Sequence, residues 1–177
     1  IATSYFYIVD YIVGRVDENL VPMTIGATGV KIYTALDNAT IFNVSFTADY
    51  SFSKQLKWNT LWVYSRGKDD EQVNLPFMSP LRYSSSLQYA KEKISAEIIL
   101  QGNANQTDFS PTYGEDETAD YAVINMSFGY KINFNKNRVD TKFGVENIFD
   151  TYYSTYADWN NIPRQGRNLF VNFSVAF

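Results

Sequence analysis

Residues 120–134 read Asp-Tyr-Ala-Val-Ile-Asn-Met-Ser-Phe-Gly-Tyr-Lys-Ile-Asn-Phe. Taken alternately, one set is Ala122, Ile124, Met126, Phe128, Tyr130, Ile132 and Phe134. The other is Val123, Asn125, Ser127, Gly129, Lys131 and Asn133. Successive side chains of a strand point to opposite faces, so this period of two predicts a β-strand. Every residue of the first set can sit in lipid, while the second set suits water.

The same reading extends in both directions. Phe42, Val44, Phe46, Ala48, Tyr50 and Phe52 alternate with Asn43, Ser45, Thr47, Asp49 and Ser51. The parity continues backward through Leu36, Thr34, Ile32 and Val30, which predicts one long strand over 30–52 with a bend at Asp37 and Asn38. Tyr5, Tyr7, Val9, Tyr11 and Val13 oppose Asp10. Trp58, Trp62 and Tyr64 oppose Lys57, Asn59 and Ser65. Like patterns surround Tyr83, Leu87 and Tyr89, then Ile94, Ala96 and Ile98, then Val139, Phe143 and Val145, and finally Leu169, Val171, Phe173 and Val175. The expected architecture is all-β, with about eight antiparallel strands, each long enough to cross a bilayer when tilted.

Connections alternate in length. Long ones are expected at 14–29, 67–79, 107–119 and 150–165, short ones at 53–54, 91–92 and 135–137. Outer-membrane barrels have long extracellular loops and short periplasmic turns. Both chain ends are then expected on the periplasmic side.

Composition supports a membrane barrel. Of 177 residues, 14 are Tyr and 13 are Phe, more than a water-soluble core requires. The mean hydropathy of −0.27 is that of a soluble protein, as expected where lumen residues alternate with lipid-facing ones. No apolar run reaches the ~18 residues of a transmembrane helix. A soluble β-sandwich shares the alternation, but its faces need not be so aromatic, and a polar edge strand is missing.

The chain holds neither His nor Cys. Disulfides, thiolate metal sites, His-based catalysis and axial haem ligation are excluded from this stretch. No enzyme activity, cofactor or metal site is expected. Basic residues are scattered and the net charge is −4, so no nucleic-acid partner is expected. The acidic runs Asp69-Asp70-Glu71 and Glu115-Asp116-Glu117 lack the spacing of a defined calcium loop. Tyr152, Tyr153, Tyr156 and Trp159 suit either ligand stacking or an interface anchor.

Three segments of the last third carry a family resemblance. The run 142–153 reads Lys-Phe-Gly-Val-Glu-Asn-Ile-Phe-Asp-Thr-Tyr-Tyr, and Pro163-Arg164-Gln165-Gly166-Arg167 precedes a closing strand, Leu169 to Phe177. These resemble the penultimate strand, the Pro-Gly-Arg entry and the final strand of TonB-dependent outer-membrane receptors, with Arg164 and Gln165 inserted between Pro and Gly. Upstream, Leu75-Pro76, Pro80-Leu81-Arg82-Tyr83 and Glu115 to Tyr121 are similar to further family segments, whereas Asn43-Val44-Ser45 departs from the family's Gly-x-Glu.

The resemblance implies that residues 1–177 form the C-terminal part of a barrel of about 22 strands with a plugged lumen. Ile1 would then be a cut in a longer chain, with the plug and earlier strands outside it. It implies TonB-coupled import of a scarce nutrient, such as a metal chelate of the siderophore, haem or cobalamin class. Implied partners are outer-membrane lipid of a Gram-negative cell, the TonB complex through the plug, the assembly machinery and a surface lipoprotein. Phe173, Val175 and Phe177 match the family's assembly signal. The alternative is a self-contained eight-stranded barrel acting as an anchor or adhesin.

Architecture is the expected role of the motif residues. Gly144 would admit a close neighbour or a bend, and Gly166 would supply backbone freedom. Lys142 and Glu146, one face of one strand, could pair with each other or with plug residues, but a solvated or barrel-wall ion pair worth little is the preferred expectation. Inward positions near the extracellular rim are the expected ligand contacts: Tyr33, Arg82, Gln101, Asn103, Tyr121 and Asn168.

Overall fold

The computed structural model describes residues 1–17, 19–23, 29–134 and 137–176. Eight strands form one antiparallel sheet in sequence order. They are β1 (Ala2–Asp17), β2 (Val30–Ser51), β3 (Leu56–Asp69), β4 (Arg82–Lys91), β5 (Ile94–Asn103), β6 (Tyr121–Phe134), β7 (Asn137–Glu146) and β8 (Asn168–Ala176). Two single-turn 3-10 helices, Pro111–Tyr113 and Trp159–Asn161, lie in the last two long loops. The all-β expectation holds, as does the alternation of long and short connections. β1 and β3 extend further than expected, to Asp17 and Asp69, so the loops after them are shorter. Phe177 and the side chain of Trp159 lie outside the described residues.

Register explains why the pattern works. Directly paired residues share a face in an antiparallel ladder. Phe46 pairs Trp62, Trp62 pairs Tyr83, and Leu87 pairs Ile98. Ile98 pairs Met126, Met126 pairs Val145, and Val145 pairs Leu169. One unbroken apolar face therefore runs from β2 to β8, and most of its large side chains are solvent-exposed, with Tyr83 and Val145 half-buried. The opposite face is polar. Lys57 pairs Gln88, Gln88 pairs Glu97, and Glu97 pairs Ser127.

The parity expected for the first hairpin fails in one place. Asp10 adopts a left-handed φ of 55°, and the ladder skips it between the pairs Val9–Asn38 and Tyr11–Leu36. Leu36 and Ala39 lie three apart, so an uninterrupted strand would send them to opposite faces. Both instead pack in one buried cluster with Val13, Leu75 and Tyr113, flanked by Tyr11 and Ile41. Tyr11, Val13 and Leu36 thus leave the apolar face and enter a core beneath the loops. The irregular backbone at Asp10 exchanges the faces, and beyond it the hairpin leans toward the loops at 70–81 and 104–120.

Gly144 and Gly166 serve as gaps. A Cβ on Gly144 would overlap the Phe170 ring, which packs across the β7–β8 ladder. A Cβ on Gly166 would sit 2.5 Å from Oδ1 of Asp150. Gly114, with φ 79°, is the glycine found in the left-handed region among the described residues, so Gly166 supplies space and not the backbone freedom expected of it.

Candidate ligand-facing rim

Three of the expected contact residues meet. The ladders align Arg82 with Asn103 and Asn103 with Tyr121. Asn103 is buried, and its Oδ1 accepts the Tyr121 hydroxyl at 3.4 Å. The Tyr121 ring stacks on Tyr153 with centroids 4.4 Å apart. Gln101 lies on the same polar face, paired with Ser84 and Val123. Asn168 turns to its own hairpin, donating to Glu146 at 3.0 Å. Tyr33 pairs Gly14 on the extended first hairpin, 81% exposed, and joins none of the others. It lies beyond the exchange of faces at Asp10, where Leu36 of the opposite parity is the buried one, so the inward facing expected of Tyr33 does not hold.

In the polar wall below the rim, Lys142 enters a wall ion pair, one of the roles open to it, with a partner on another strand. Lys142 pairs not with Glu146 but with Glu97, at 3.6 Å, while Gln88 donates to the same carboxylate at 2.9 Å. A cross-strand approach brings these groups together, whereas two pleats along one strand keep Lys142 and Glu146 apart.

Above the row, the long loops are tied to one another. Asn74 donates to the Phe109 carbonyl at 3.3 Å, and Gln106 to the Met78 carbonyl at 3.0 Å. Thr118 donates to Asn161 at 2.8 Å, and Asn161 returns a bond to the Glu117 carbonyl at 2.9 Å. Buried polar groups need such partners, so these loops form a bonded cap.

Two ionic features hold that cap. Asp69, its side chain fully buried, accepts the Tyr113 hydroxyl at 2.8 Å and the Val73 amide at 2.7 Å, with Arg15 at 3.5 Å. Burial first, and the bond to Asp69 second, raise the Tyr113 hydroxyl above its ordinary value, so it stays a neutral donor. In the last loop, Asp158 accepts Arg164 Nε at 2.7 Å and the Thr155 amide at 2.8 Å. Burial pushes the Asp158 carboxyl up, but the bonds from Arg164 and Thr155 outweigh it, and the carboxyl ends below its ordinary value.

Half of the residues in the acidic runs are spent on structure. Asp69 serves the buried latch, and Glu115 accepts the amides of Phe77 at 2.6 Å and Ser110 at 3.1 Å. Glu117 accepts Asn105 at 3.3 Å. Among the described residues no group of three such side chains is placed to hold a metal ion.

The motif around Asn147 is an architectural knot. Its side chain donates to the Thr151 carbonyl and accepts the Thr151 amide, each at 2.8 Å, while its own amide donates to Asn125 at 2.8 Å. Asp150 accepts the Arg167 amide at 2.7 Å, and Arg167 donates to the Ile148 carbonyl at 2.8 Å. Sequence reasoning missed the Asp69–Tyr113 latch and the Asp158–Arg164 clamp. No local pattern marks the latch, because its members lie 44 positions apart.

No protein-family profile matches the sequence, and no curated protein does either. Solved structures do. The chain superimposes on the copper transporter OprC with a TM-score of 0.82 at 20% identity, over 96% of this chain and 28% of that one. The likeness establishes the fold, an eight-stranded antiparallel sheet, and the chain spans a little over a quarter of that transporter's length.

Proposed function

We propose that this chain is part of the wall of a TonB-dependent uptake receptor in a Gram-negative outer membrane. The observation that carries the reading is the ladder-by-ladder continuity of one apolar face backed by one polar face. A lipid-facing band against a polar lumen has this form. The asymmetry of loops and turns and the likeness to OprC support it.

Within this reading, residues 1–177 are the C-terminal strands of a larger barrel whose plug and earlier strands lie elsewhere in the protein. β1 and β8 are the two ends of the sheet, and an unpaired edge is costly in lipid. Each edge is therefore assigned to a neighbouring strand of the same barrel. A self-contained eight-stranded barrel would have to pair β1 with β8 instead. The cargo is a scarce nutrient of the metal-chelate class, siderophore, haem or cobalamin. Arg82, Gln101, Asn103 and Tyr121 line its path, with Tyr33 and Asn168 as outlying contacts. The partners are outer-membrane lipid, the TonB complex through the plug, the assembly machinery reading Phe173, Val175 and Phe177, and a surface lipoprotein.

The test is accumulation of labelled metal chelates by cells carrying the intact receptor, with and without a protonophore. Energy-dependent accumulation, reduced by Arg82→Ala and Tyr121→Ala together, is expected. Accumulation that ignores the protonophore would overturn the TonB-coupled reading. The intact mass of the native polypeptide separates the barrel alternatives, since a mass equal to this chain would overturn the larger barrel.

A further inference from the structure

At the long-loop end, the first hairpin and the three following long loops enclose a cleft of about 670 Å³, within the range of small-ligand sites. Its walls include Lys31, Phe77, Glu115, Asp116, Tyr156 and Asn161.

Phe77 is the unusual member. Its φ is 61°, a conformation that a bulky residue adopts only when its surroundings impose it. The short bond from its amide to Glu115 imposes it. The strained turn leaves the ring 61% exposed. Over that ring, 6.0 Å from its centroid, sits the Lys31 ammonium, which marks a position where a cation is attracted to the aromatic face.

The electrostatic setting agrees. Stretches 69–81 and 104–120 together contain eight carboxylates and no basic residue. Arg15 offsets Asp69 and Glu71, and Arg66 offsets Asp108, while Asp70, Asp116, Glu117 and Asp120 enter no ion pair among the described residues and favour cations over anions there.

We propose that this cleft captures a small positively charged ligand with an apolar surface, an organic cation or a cationic metal chelate. The inference rests on the uptake-receptor reading and restricts its cargo by charge, to cationic chelates and, beyond the metal-chelate class, to organic cations. The Phe77 ring receives the ligand's charged face, the rim carboxylates draw it in, and the ligand's charge displaces the Lys31 ammonium. Anionic chelates are disfavoured at the same place.

The experiment uses the intact receptor in lipid nanodiscs, titrated calorimetrically with 1-methylquinolinium and with naphthalene-1-sulfonate, a planar anion of similar size. The cation should bind about tenfold more tightly at low salt, with the margin shrinking as salt rises. Phe77→Gly should weaken it about tenfold. Glycine suits the left-handed backbone better than phenylalanine, so that loss is not a folding defect. Asp116→Asn should weaken cation binding at low salt, and Lys31→Gln should strengthen it. Equal affinity for both probes, a preference for the sulfonate, or undiminished cation binding in Phe77→Gly would each overturn the proposal. Loss of energised uptake with cation binding intact would instead overturn the receptor reading and leave the cleft standing.

Discussion

The Tyr113 hydroxyl donates to Oδ2 of Asp69 across 2.8 Å, joining the 104–120 loop to the end of β3. Asp69 would otherwise be a buried carboxylate held by the Val73 amide and a distant guanidinium. Tyr113→Phe removes one donor and should loosen the loop by about 1–3 kcal/mol, the cost of under-satisfying a buried acceptor. Asp69→Ala should cost more, because Tyr113 and the Val73 amide both lose their acceptor and Arg15 keeps only Glu71, at 3.9 Å. Limited proteolysis of the 104–120 loop should rank the proteins wild type, Tyr113→Phe, Asp69→Ala in order of increasing cleavage. Equal cleavage of all three would dismiss the latch.

Gly144 faces Phe170 so closely that no Cβ fits between them. Gly144→Ala should therefore destabilise the last hairpin by roughly 1–3 kcal/mol through overpacking. Adding Phe170→Ala should restore much of that loss, since the clash then disappears. A double-mutant cycle on unfolding in detergent measures the coupling. Additive effects would mean that the ring is not what the glycine accommodates.

Asn147 is 3% exposed, carries a φ of 48° and links Asn125 to Thr151. Asn147→Ala should cost about 2–4 kcal/mol, combining lost side-chain bonds with left-handed strain. Asn147→Gly removes the bonds but tolerates the backbone, so it should lie between wild type and alanine. Thermal unfolding of the three proteins in detergent reads the order directly.

The two loop carboxylates respond to pH with opposite signs. Asp158 is held below its ordinary value, so its contribution is fully present above that value. It is lost as pH falls through the depressed folded-state pKa. Glu115 is pushed above its ordinary value, chiefly by burial, so its contribution is full below that value. It is lost as pH rises through the raised folded-state pKa. Hydrogen exchange of the 147–167 loop should accelerate on acidification and lose that response in Asp158→Asn. The Phe77 and Ser110 amides should open more as pH climbs above the ordinary glutamate range, and Glu115→Gln should flatten the change. Parallel responses at both sites would contradict these assignments.

Most of the wall was legible in the order of residues. Alternation such as Ile124, Met126, Phe128 against Asn125, Ser127, Gly129 is a local property with a period of two, and a strand must present it on two faces. The same parity carried across each ladder makes the faces continuous, so strand number, antiparallel order and the disposition of long and short connections could all be anticipated. The rim was half legible. Arg82, Asn103 and Tyr121 follow from inward parity near strand ends, and they do align. Tyr33 followed the same rule and stands apart, because it lies beyond the exchange of faces at Asp10, where Leu36 of the opposite parity turns into the core and Tyr33 is left 81% exposed.

What alternation could not convey is everything made by groups distant in the chain. Asp10 reads as one more polar residue among alternating tyrosines, yet its left-handed backbone exchanges the faces and buries Val13 and Leu36 beneath the loops. Asp69 finds Tyr113, Lys142 finds Glu97, and Phe77 is held out over a cleft by Glu115. These outcomes depend on which loops fold back over which strands, a matter of long-range packing and of satisfying buried donors and acceptors. Strand identity is encoded residue by residue, whereas loop contacts are settled only once the wall brings their ends together.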